Sequence, residues 1–174
     1  MKKLLNIIGF QFSWWGCVLG VKYGAIYLGP ILMVIFLIIH FHYFSYKNNE
    51  IKLVILFGII GTMIDSSMAY AGILRYSGTY TSTTIIAPLW ITAMWCGFSA
   101  TVNHSLFWLR NRYFASTFLG AVAGPLSYIA GVKFGAIQFN TSFIIALVII
   151  ALFYALTVPL IYWVNERLVL NDGA

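Results

Sequence analysis

Six long apolar runs separated by short polar breaks constrain this chain more than any other feature. They fall at about 4–21, 25–44, 53–74, 85–109, 114–133 and 143–164, each near the ~20 residues needed to cross a hydrocarbon core of about 30 Å. The predicted fold class is therefore all-α, a single polytopic bundle of six transmembrane helices. Only 8% of the residues are charged, against about a quarter in a soluble domain, which leaves no room for a soluble catalytic domain. The net charge of +6 does not point to nucleic acid, because the Lys and Arg residues stand singly or in pairs between apolar runs. Met1-Lys2-Lys3 before the first run resembles a signal peptide. The bulky Gln11-Phe12-Ser13-Trp14-Trp15 that follows offers no small-residue cleavage site, so the reading is an uncleaved first helix. Cys17 and Cys96 both fall in apolar runs, where a thiol acts as a small hydrophobe rather than half of a disulfide.

Six spans place both termini on one side together with Lys2, Lys3, Lys47, Lys52, Arg110, Arg112 and Arg167. Lys22, Arg75 and Lys133 lie opposite. A split of seven against three puts both termini in the cytoplasm by the positive-inside rule.

The sequence also repeats. Gly20-Val21-Lys22-Tyr23-Gly24-Ala25-Ile26 recurs as Gly131-Val132-Lys133-Phe134-Gly135-Ala136-Ile137, and a weaker copy is read at Ile73-Leu74-Arg75-Tyr76-Ser77-Gly78. The predicted arrangement is three hairpins of like orientation, a pattern known in transporters. A basic and an aromatic residue at a helix end are equally ordinary interface anchors.

Asp65 is the outstanding candidate for chemistry, read as the only acidic residue inside a span and near the middle of the third one. An ionised carboxylate at such depth costs at least a few kcal/mol, so it is expected to be protonated, paired or facing a hydrated cavity. Its helical face is Gly58, Gly61, Ala69 and Gly72, small residues that admit a close neighbour. The plain alternative is a protonated donor fastening two helices, with Ser66 or Ser67 assisting. Trp90, Trp95, Asn103, His104 and Ser105 make the fourth span the most polar of the later ones. His104 suits a proton carrier, general base or headgroup ligand, and equally a plain hydrogen-bonded histidine. Its estimated depth differs from that of Asp65 by roughly 10 Å, so no direct dyad is predicted.

Gly124-Pro125 is expected to break the fifth span beside Tyr128. Gln11 and Ser13 are placed to face Asp65. His40 and His42, two apart on a helix, point in different directions and read as interfacial, so no metal site is predicted. No cofactor motif is present, and neither H-E-x-x-H nor G-x-S-x-G occurs.

Asp65-Ser66-Ser67, Pro88-Leu89-Trp90, Met94-Trp95, Asn103-His104-Ser105-Leu106, Trp108-Leu109 and Gly124-Pro125-Leu126-Ser127-Tyr128 together resemble a family of small bacterial inner-membrane proteins, domain of unknown function twenty-eight seventy-eight. The resemblance spans most of the chain and carries no established activity. It implies a bacterial inner membrane and, through gene neighbours resembling cyclopropane-fatty-acid synthases and flavin oxidoreductases, a lipid-related role. Three functions follow as expectations. The first is a carrier, flippase or accessory factor for a lipid or small amphiphile. The second is a lipid-modifying enzyme using His104, and the third a non-catalytic subunit bound to another membrane protein or to a second copy of itself.

Overall fold

The computed structural model describes residues 2–45, 49–80 and 86–170. Six α-helices appear in sequence order: α1 Lys2–Lys22, α2 Leu28–Tyr43, α3 Glu50–Tyr70, α4 Leu89–Ser99, α5 Tyr113–Lys133 and α6 Phe143–Asn165. Two short strands, β1 Leu74–Tyr76 and β2 Ile137–Phe139, follow α3 and α5 and pair antiparallel, with Arg75 opposite Gln138. Helices dominate because in lipid every backbone N–H and C=O needs an internal partner, which a helix supplies within one segment.

By length and composition α1, α3, α5 and α6 are able to cross a membrane. Their flanks are apolar outward: Phe114, Ile144 and Leu156 are all more than 70% exposed. Water would not tolerate a continuous surface of this kind, and the four helices mark a membrane protein. The expectation of six equal spans is thus only partly met. Helix α2 has 16 residues and α4 has 11, or about 24 and 16 Å at 1.5 Å per residue.

The predicted helix at 85–109 needs correction, since regular helix ends at Ser99 and gives way to turns and a 3-10 turn at Phe107–Leu109. The cause lies outside the segment. Asn6 of α1 donates from Nδ2 to the carbonyl of Ala100 (3.3 Å), while the His104 amide turns to Thr101 instead. A partner far away in sequence has replaced the helical one.

The helices pack in sequential pairs, α1 with α2, α3 with α4 and α5 with α6, and α4 also rests on α2. The small face of α3 does admit a close neighbour, because a Cβ on Gly61 would stand 2.0 Å from the Trp95 ring of α4. Helices α3 and α5 end in the same manner. Gly72 and Gly135 have φ of 69° and 79°, and the amide one residue later bonds back to the carbonyl five residues earlier (Ile73 to Met68, Ala136 to Gly131). The copy read at 73–78 is not matched by the structure: Gly72, not Ser77, occupies the place that Gly135 has in α5, and Arg75 lies in a strand rather than at a helix end.

Alternation along β1 buries Leu74 and Tyr76 and exposes Arg75. Tyr76 is therefore directed into the bundle, not out to an interface.

Candidate functional site

Three features arise from this frame: a carboxylate cage, an aromatic cleft and a polar cluster at the opposite end. Asp65 is fully buried. Its Oδ2 accepts from the Trp95 indole N–H at 2.6 Å, and its Oδ1 accepts from the hydroxyls of Tyr76 and Tyr128. The carboxyl thus joins α3 to α4, α5 and β1. Trp N–H donates only, whereas a phenol both donates and accepts. The cage therefore accommodates either state of the carboxyl: ionised, it receives three bonds, and neutral, its proton on Oδ1 is received by one phenol oxygen. Burial, and then the neighbouring Asp65 carboxylate, hold the Tyr76 hydroxyl well above the usual phenol range, so Tyr76 keeps its proton.

Ser66 and Ser67 do not assist Asp65. The Ser66 hydroxyl donates to Thr62 and accepts from the Ala87 amide, and Ser67 donates to the Ile64 carbonyl on the exposed side. Nor is Asp65 at the middle of its helix. Because α3 stops at Tyr70, Asp65 stands five residues from that end and fifteen from Glu50, about 7 and 22 Å along the axis.

Trp95 and Tyr128 also form the wall of a cavity of about 460 Å³ between α1, α4, α5 and α6. Gln11, Trp14, Trp15, Trp90, Met94, Gly124 and Tyr154 line it further. Its flank includes Trp15 and Leu126, which are 39% and 58% exposed, so the mouth lies on the apolar side of the molecule. At the end where α1 and α5 terminate, Trp15 packs edge-on against Phe134 (5.4 Å) and Lys22 lies over the same ring (5.5 Å). Tyr154 stacks on Trp95 at 5.0 Å and meets Tyr128 edge-on. Gly124 is explained by this contact, since a Cβ there would stand 2.5 Å from the Tyr154 ring. Helix α5 continues through Pro125, so the expected break is a proline carried inside a continuous helix. Trp90 is anchored by its N–H to the Ser77 carbonyl at 3.0 Å. Gln11 faces this cleft, not Asp65, and Ser13 donates to the carbonyls of Gly9 and Leu32, tying α1 to α2.

The third feature collects the ends of α1, α2 and α6, the start of α3 and the turns after α4. His104 Nε2 is 3.1 Å from Glu50 Oε1, and Asn103 Nδ2 donates to the same oxygen at 3.3 Å. Asn103 and Asn165 exchange a reciprocal amide pair at 2.8 and 2.7 Å. Ser105 donates to Asn6 Oδ1 at 2.8 Å, and Asn6 Nδ2 lies 3.2 Å from His40 Nδ1. Glu50 is 2% exposed and His40 fully buried. Glu50, outside the span read at 53–74, is thus a second buried acid at the start of α3, and His40 is packed inside the bundle whereas His42 is exposed.

Asn103, His104 and Ser105 therefore meet one another's partners but not Asp65, and they do not line the cleft. Sequence reading missed Tyr154, Glu50, Asn6 and Asn165, and gave Tyr76 and His40 other roles. Only Glu50 left a local signal, as an acid at the first turn of an apolar helix.

A family model described as protein of unknown function (DUF2878) matches residues 3–160. No curated protein and no solved structure matches the chain.

Proposed function

Because the chain belongs to DUF2878, a family of unknown function, membership assigns it no activity, and we propose from the geometry that it holds a lipid or small amphiphile in the aromatic cleft as a carrier, flippase or accessory factor. The carrying observation is the cleft itself. About 460 Å³ lies within the range of small-ligand pockets, roughly 300–1,000 Å³. Its wall is mostly aromatic and aliphatic with few polar groups, and its mouth opens where an acyl chain would lie. Asp65 stands directly behind that wall, in a cage able to hold its proton or release it. In this reading both termini face the cytoplasm of a bacterial inner membrane, and lipids are the principal partners. The enzyme reading has less support, since His104 lies outside the cleft and the one serine in its lining, Ser127, donates its hydroxyl to the Gly124 carbonyl of its own helix.

Two measurements test the proposal. Native mass spectrometry from mild detergent is expected to find one co-purified lipid per chain, and Ala123→Trp, which fills the cleft from α5, is expected to lose it. A wild-type protein free of lipid would overturn ligand binding. In proteoliposomes carrying a fluorescent phospholipid, Asp65→Asn is expected to abolish any pH-gradient-dependent movement. Unchanged movement in that variant would remove Asp65 from coupling.

A further inference from the structure

We propose that His40, Glu50 and His104 form a site for a divalent first-row transition metal, of the zinc or ferrous class. The three come from the last turn of α2, the first residue of α3 and the turns after α4. Their ligand atoms all lie within 4.8 Å of one another. Metal bonds of about 2.0–2.2 Å at tetrahedral angles set neighbouring ligand atoms roughly 3.3–3.5 Å apart. Glu50 Oε1 stands 3.1 Å from His104 Nε2 and 3.6 Å from His40 Nε2, so two edges already bracket that length.

A second observation points to a ligand. His40 Nε2 is fully buried, directed at Glu50, and has no hydrogen-bond partner, because 3.6 Å is too long for one. A buried ring nitrogen in that condition is costly, and a metal ion satisfies it. Two imidazoles and a carboxylate are a donor set that zinc and ferrous ions both accept.

The surroundings fit the same role. The other ring nitrogen of His40, Nδ1, lies 3.2 Å from the Asn6 side chain, a polar neighbour of the kind that orients a metal-bound imidazole. Asn103 donates to the Glu50 oxygen and holds it in place. Three protein ligands leave a fourth position open, and His104, whose side chain is 11% exposed, is the ligand nearest to being solvent-accessible.

The test is Zn²⁺ binding by the full-length protein in detergent, followed by competition with a fluorescent chelator. One Zn²⁺ per chain is expected. Loss of an outer partner of a metal ligand weakens binding 10–100-fold, so Glu50→Gln and His104→Gln, which remove ligands, are expected to weaken it by about a hundredfold or more. His42→Gln is the control and should match wild type. Zn²⁺ should also raise the melting temperature of wild type and not of the two ligand variants. Stoichiometry well below one, or wild-type affinity in either ligand variant, overturns the site. Should those variants fail to fold, X-ray absorption at the zinc edge of the wild-type protein decides: imidazole scattering from two histidines supports the site, and its absence overturns it.

Discussion

Asp65 shows how one residue is fixed by what surrounds it. Removing the carboxyl with Asp65→Ala leaves two phenols and an indole N–H buried without their acceptor. Each such group costs about 1–3 kcal/mol, so a loss of at least about 3 kcal/mol is expected. Asp65→Asn keeps an acceptor for Trp95 and turns its amide toward two hydroxyls able to accept, and should cost distinctly less. Thermal unfolding in detergent checks the order, and equal melting temperatures for the two variants would show that the cage contributes little. Tyr128→Phe should fall between them, because it removes one donor and leaves the carboxyl two others.

Elements meet here through close approach as well as through polar contacts. Gly61→Ala would bring a methyl group to 2.0 Å from the Trp95 ring, and overpacking of this kind costs about 1–3 kcal/mol. Gly135→Ala probes a different cost, since nothing lies within 4 Å of its Cβ but its φ is 79°. The left-handed conformation alone accounts for about 1–2 kcal/mol there, and Gly135→Asn should recover part of it because asparagine tolerates that region. Melting temperatures of the three variants separate packing from backbone strain. The matching ends of α3 and α5 also show that the basic and aromatic residues at 75–76 are not the counterparts of those at 133–134. Basic and aromatic residues recur there for separate reasons, Arg75 as an exposed strand residue and Tyr76 as the partner of Asp65.

For the molecule as a whole, the charges divide between its two ends. Lys2, Lys3, Lys52, Arg110, Arg112 and Arg167 accompany the end that holds Glu50 and His104, while Lys22, Arg75 and Lys133 lie by the strands. Lys47 falls outside the described residues. Positive-inside topology then predicts that Asn140→Cys, at the strand end, reacts with a membrane-impermeant maleimide in intact cells, whereas Asn111→Cys reacts only after permeabilisation. The reverse pattern would invert the protein.

The apolar runs by themselves determined that the chain is built of apolar helices, since a helix satisfies its own backbone in hydrocarbon, but not that only four of the six are long enough to cross it. Most helix ends were legible too, because polar breaks and glycines are local signals. Asp65 was legible as a focus for the same reason: a carboxylate among apolar residues is conspicuous wherever it folds. What only the tertiary structure decided were the partners. Asn6 ends α4 from the far side of the chain, Tyr76 is turned inward by a strand that exists only through pairing with β2, and His40 finds Glu50 and His104 rather than His42. Apolar periodicity says that a face is buried but not what it is buried against, and these contacts between distant segments became visible only once the helices were packed.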